Sequence, residues 1–137
     1  ISVSTVANMW KRAGSMVDQM SATHHDMVLA ITSHIPHLLA FNIVGTVTKL
    51  EEQLKLEVIK YSAGGFRDFT RIAASDPEMW RDIFIENKDA VLEMLGRFSE
   101  DLASLQRAIR REDADGLEAK FTQTQNIRRD VIDAKQE

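Results

Sequence analysis

Apolar residues recur along this chain at helical rather than strand spacing. In residues 3–20, Val6, Met9, Trp10, Ala13, Met16, Val17 and Met20 fall three or four apart, which predicts an amphipathic helix with Trp10 in its buried face. Ser21 or Thr23 can cap a second helix beginning near His24. Residues 49–61 predict a charged amphipathic helix that Gly64-Gly65 ends, and residues 66–74 a short helix. Ser75-Asp76-Pro77-Glu78 reads as a capping box with proline in the first turn, opening a helix that carries Met79, Trp80, Ile83 and Phe84. Asn87 is placed to cap the next helix, which runs to about Arg111 with Val91, Leu95, Phe98, Leu102, Leu105 and Ile109 in its stripe. Asp113 or Asp115 opens a last helix with Leu117, Phe121, Ile127, Val131 and Ile132. No run alternates with a period of two, so the pattern predicts an all-α fold.

Residues 27–48 contain no Asp, Glu, Lys or Arg. Their number would span a bilayer, but His34, His37, Asn42, Pro36 and several hydroxyls lie within, and no basic flank sets an orientation. The better reading is a central helix buried on most sides, in the core of the domain or of a dimer. Pro36 has no N–H to give the Thr32 carbonyl, which predicts a kink, and polar groups at a kink suit the wall of a pocket.

With 137 residues the chain is expected to be one domain, residues 1–137. It begins with Ile1, which suggests processing or a piece of a longer protein, and it shows no secretory signal. The absence of cysteine excludes a disulfide framework and suits a reducing, cytoplasmic compartment. A net charge of −4 without a dense basic block argues against nucleic-acid binding.

Candidate chemistry concentrates in residues 61–83, YSAGGFRDFTRIAASDPEMWRDI. Gly64-Gly65 permits a turn and the close approach of another group. A helix starting at Gly65 or Phe66 would present free N–H groups, and Arg67 and Arg71 follow at i and i+4. Asp68, three residues before Arg71, can hold that guanidinium. Two readings fit: a cradle for a small carboxylated ligand, or a plain amphipathic helix with a surface Asp–Arg pair.

All four histidines fall within residues 24–37, as His24-His25-Asp26 and His34-x-x-His37. Metal chelation lacks a third or fourth ligand at a fixed offset and has a proline between its two imidazoles, so no metal site is expected. One histidine packing as a hydrogen-bonded core residue and another lining a polar pocket suits the sequence better. There is no GxGxxG after a strand, no GxxxxGK[ST] and no nucleophile elbow, so no nucleotide site is expected in this chain.

Together, HHD at 24–26, SHIPH at 33–37, GGFRDFTRIAASDP at 64–77 and MWRD at 79–82 resemble the C-terminal helical domain of bacterial prephenate and arogenate (cyclohexadienyl) dehydrogenases. The similarity covers essentially the whole chain. It implies a helical dimerisation and substrate-binding domain that follows a Rossmann domain missing here, so that this fragment alone would be inactive. The implied reaction is oxidative decarboxylation in tyrosine biosynthesis, with NAD or NADP taking the hydride. The resemblance assigns Arg71 to a substrate carboxylate, His37 to polar contact with substrate, and Asp68 to orienting Arg71. Gly64 lets backbone approach the ligand, Trp80 reaches the partner subunit's site, and Asp26 supports the histidine region. The family's catalytic base is a histidine of the other domain, so none of these four takes that role. Implied partners are a second copy of the chain, prephenate or arogenate, and tyrosine as an inhibitor. A rival reading is a stand-alone helical effector-binding or dimerisation module, which a βαβ unit upstream in the parent gene would eliminate.

Overall fold

The computed structural model describes residues 2–133, with side chains to residue 129, so the expected stripe positions Val131 and Ile132 lie outside the described side chains. The order is α1 (Val3–Arg12), α2 (Ala22–Leu29), a π-helical segment (Ala30–His34), α3 (Ile35–Val47), α4 (Glu52–Lys60), α5 (Gly64–Thr70), a 3-10 turn (Arg71–Ala74), α6 (Pro77–Glu86), α7 (Lys88–Arg110) and α8 (Ala114–Asp133). The fold is all-α, with no strand among the described residues. The backbone clusters as two compact units, Ile1–Val91 and Leu92–Glu137.

The first unit departs from the sequence pattern at its start. α1 ends at Arg12 because Gly14, at φ +87°, closes a Schellman turn: the Gly14 N–H donates to the Lys11 carbonyl and the Ser15 N–H to that of Trp10. The predicted stripe therefore loses its second half, and Trp10, expected in the core, is 53% exposed. Ser21 caps α2 by accepting from the His24 N–H.

The proline kink takes an unexpected form. The helix continues from α2 into α3, but it widens to π geometry over Ala30–His34, and the Ile35 N–H reaches the Ala30 carbonyl. Pro36 then falls in the first turn of α3, where a missing N–H costs little. The α3 helix packs on α5 and on the 3-10 turn. Burial is one-sided: Ala30, His34, Ile35 and Ala40 are buried, while Ile31, Ile43 and Val44 stay exposed. Among the described residues of the single chain, burial of this helix is thus confined to one face, where the sequence predicts burial on most sides in the domain or in a dimer. By length and composition alone, Ala22–Val47 is long and apolar enough to cross a membrane.

A turn at residues 48–51 separates α3 from α4. The glycine pair does not form a left-handed break; Ala63 is extended and Gly64-Gly65 are the first residues of α5. The cap of α6 is Asp76, whose Oδ1 accepts from the Met79 N–H at 2.9 Å, while Ser75 donates to the Ile72 carbonyl. The expected capping box is therefore absent, and Glu78 instead faces Arg81 at 3.4 Å.

In the second unit, α7 ends in another Schellman turn, with Glu112 in the left-handed region at φ +55°. Asp113 caps α8 by accepting from the Gly116 N–H. Lys120 of α8 reaches Asp101 of α7 at 3.3 Å. No described side chain of α8 is buried, and Leu102, Ile109, Phe121 and Ile127 are all exposed.

Candidate functional site

The site is built around Trp80, which is 6% exposed. Its indole stacks on the His37 imidazole, with centroids 3.7 Å apart and planes 22° from parallel. His34 meets it edge-on at 6.2 Å and 78°, and Phe84, one turn along α6, lies at 5.5 Å. Two histidines of the central helix thus bracket one tryptophan of α6. Only Ile35 and Pro36 separate His34 from His37 along that helix; the His37 ring is tied to the Ser33 backbone and the His34 ring to the Asn87 side chain.

Those ties fix the protons. His37 Nδ1 lies 3.0 Å from the Ser33 carbonyl oxygen, which can only accept, so the Nδ1–H donates and Nε2 of the neutral ring is a lone-pair acceptor. His34 is the buried, hydrogen-bonded histidine that the sequence foresaw. Burial depresses its pKa below the ordinary 6.5; neighbouring Asp26 opposes that shift, and His25 and His37 reinforce it. The indole Nε1–H of Trp80 is buried without an acceptor among the described residues. Such a donor costs about 1–3 kcal/mol until something satisfies it.

Arg71 sits in the 3-10 turn, which packs against the His37-bearing α3. Its side chain is exposed and makes no ion pair or hydrogen bond among the described residues. Asp68 is also exposed, on α5, and does not hold Arg71 as expected. Surface ion pairs of this kind are worth a few tenths of a kcal/mol, too little to order two solvated side chains. Gly64 leaves room: a Cβ there would meet only Asp68 Oδ2, at 4.0 Å. Seven residues make α5 too short for a strong N-terminal pole, so the anion-binding capacity here rests on Arg71. The Asp26 side chain points to its neighbour His25, 3.1 Å away, and its backbone carbonyl, not its carboxylate, joins the histidine cluster through Asn87. No group of three metal-ligating side chains forms among the described residues, and Nδ1 of both His34 and His37 is already engaged.

The resemblance assigns Trp80 to the partner subunit's site; within the single chain the indole lies against His37. Beside it, Leu38, Phe41, Pro77, Arg81 and Phe84 complete an apolar recess of about 240 Å³.

The family model described as prephenate dehydrogenase, dimerization domain, matches residues 21–123. The chain belongs to this family. It is 43% identical over 126 residues to the cyclohexadienyl dehydrogenase of Zymomonas mobilis, covering 92% of this chain and 43% of that protein. Identity to the prephenate dehydrogenase of Bacillus subtilis is 36%, over 92% of this chain and 34% of the relative. Among solved structures, prephenate dehydrogenase from Aquifex aeolicus, crystallised with hydroxyphenyl propionate and NAD+, superposes with a TM-score of 0.87 at 38% identity. That match covers 94% of this chain and 45% of the other. The chain therefore spans less than half the length of these relatives.

Within this dimerization-domain frame the structure brings together His37, Trp80 and the Asp26 backbone, and it packs the element that bears Arg71 onto α3. Sequence reasoning missed Asn87, read as a helix cap, and the partnership of His34 with Trp80. The only advance signal for the latter was the shared apolar face of Trp80 and Phe84.

Proposed function

We propose that this chain is the substrate-binding and dimerisation half of a cytoplasmic prephenate or arogenate dehydrogenase. The observation that carries this reading is the Arg71 guanidinium, exposed and without a partner among the described residues, on an element packed against the helix whose His37 stacks on Trp80. A planar fork of donors suits a carboxylate, and a ring wall suits a six-membered carbocycle. Arg71 grips one carboxylate of the substrate, and His37 Nε2 meets a polar group on it. Asp68 and Gly64 line the approach, and Trp80 forms the wall. Asp26 supports this wall through its backbone. When bound by the rest of such an enzyme, NAD or NADP supplies the hydride acceptor for oxidative decarboxylation. Tyrosine, which keeps a ring and a carboxylate, would compete at Arg71.

The second copy of the chain follows from surfaces rather than from the pocket. In the second unit, Leu102, Ala103, Leu105 and Ile109 line a groove of about 580 Å³, and Ile31, Ile43 and Val44 stand uncovered on the central helix. Apolar faces of this kind are the material of a homodimer interface.

The test is steady-state oxidation of prephenate and of arogenate by the full-length enzyme and its Arg71→Ala and His37→Ala variants. A rise in KM of about tenfold or more is expected in both. Unchanged constants in both would sink the pocket assignment.

A further inference from the structure

Asn87 lies between α6 and α7, and its side chain reaches back to the start of the central helix. Nδ2 is 2.9 Å from the Asp26 carbonyl oxygen and 3.1 Å from His34 Nδ1. A carbonyl can only accept, so the amide atom beside Asp26 has to be the nitrogen; the flipped amide would set two oxygens against each other. With its first hydrogen on Asp26, that nitrogen offers the second to His34. Nδ1 of His34 is therefore bare, and its proton sits on Nε2. Next in line is Trp80, edge-on to His34 and face-on to His37. The titratable groups acting on His34 are Asp26 and His25 from α2 and His37 from α3.

We propose that Asn87 is a positioning residue: its amide locks His34 in the Nε2–H tautomer and, through the His34–Trp80 contact, sets the indole face on which His37 lies. The role rests on reading that stack as a wall of the substrate site. Asn87 itself touches neither substrate nor cofactor. It acts by fixing the angle of a ring two contacts away.

The full-length enzyme, labelled with 15N at histidine, tests this in the parent and in the Asn87→Ala and Asn87→Asp variants. In the parent, long-range 1H–15N spectra should show His34 with an acceptor-type Nδ1 and a protonated Nε2. In Asn87→Ala that signature should give way to a tautomer average, with KM up about tenfold and kcat within about twofold. Asn87→Asp is nearly isosteric, which covers the case in which alanine fails to fold. Its carboxylate should draw a second proton onto His34 and raise KM in the same way. An unchanged tautomer in both variants overturns the lock, whatever KM does, and a lost tautomer with unchanged KM overturns the positioning role. If the parent shows the expected tautomer yet oxidises neither prephenate nor arogenate, the functional reading fails while the Asn87–His34 lock stands.

Discussion

The indole of Trp80 lies flat on the imidazole of His37, 3.7 Å between centroids, and buries an Nε1–H that has no acceptor among the described residues. Trp80→Ala empties that space and is expected to destabilise the protein by about 3–5 kcal/mol. Trp80→Phe keeps a ring against His37 and removes the unsatisfied donor, so a loss within about 1 kcal/mol is expected. Urea unfolding of both variants checks the pair. A Phe variant as damaged as the Ala variant would mean that the assembled protein supplies an acceptor for Nε1.

Arg71 separates binding from stability. Because it is exposed and without a partner among the described residues, Arg71→Ala should move unfolding free energy by no more than about 0.5 kcal/mol. Arg71→Lys retains the charge but loses the fork, and should recover only part of the alanine variant's KM. Thermal melts alongside kinetics read the two effects separately.

His34 makes stability depend on pH. Burial lowers its folded pKa below the 6.5 of an unfolded chain. Below about pH 6.5 the unfolded state therefore binds more protons than the folded state, and stability falls as pH falls until the folded ring also titrates. Above that window the contribution is complete. His34→Gln, which cannot titrate, should flatten this part of the curve in denaturant melts between pH 7.5 and about 5.

Glu112 occupies the left-handed region that closes α7. An L side chain there costs about 1–2 kcal/mol, and glycine gives back part of that through its greater unfolded-state freedom. Glu112→Gly should thus stabilise by about 0.5–1 kcal/mol. A loss of stability would mean that the Glu112 side chain makes a contact in the assembled protein.

The groove of the second unit tests assembly. Leu102→Glu with Ile109→Glu places two carboxylates among Leu105 and Ala103. Sedimentation of the full-length protein should shift from dimer toward monomer, with helicity retained.

Helix content and most helix starts were legible because capping groups and apolar spacing are local. Of the candidate site, SHIPH and GGFRDFTRIA drew attention to His37 and Arg71, and the burial of one hydrogen-bonded histidine, His34, followed from imidazole chemistry. Trp10 was misplaced because a single glycine, Gly14, cut its helix before the stripe was complete. The Asn87–His34 bond joins positions 53 residues apart, and no periodicity reports such a contact. The one-sided burial of the central helix escaped for a related reason, since composition measures how apolar a helix is and not what lies against it.

The π turn at Ala30–His34 holds one more residue than an α-helical turn needs. Loss of one residue there would let the helix close into ordinary α geometry without breaking. Because the widened turn itself takes up the extra residue, the helix on either side of the deletion would keep nearly the same facing. His34 and His37, both on the C-terminal side of Thr32, would keep their places about the indole. At this point the chain tolerates a change of length, so a deletion of Thr32 should yield a protein that folds with its ring wall in place.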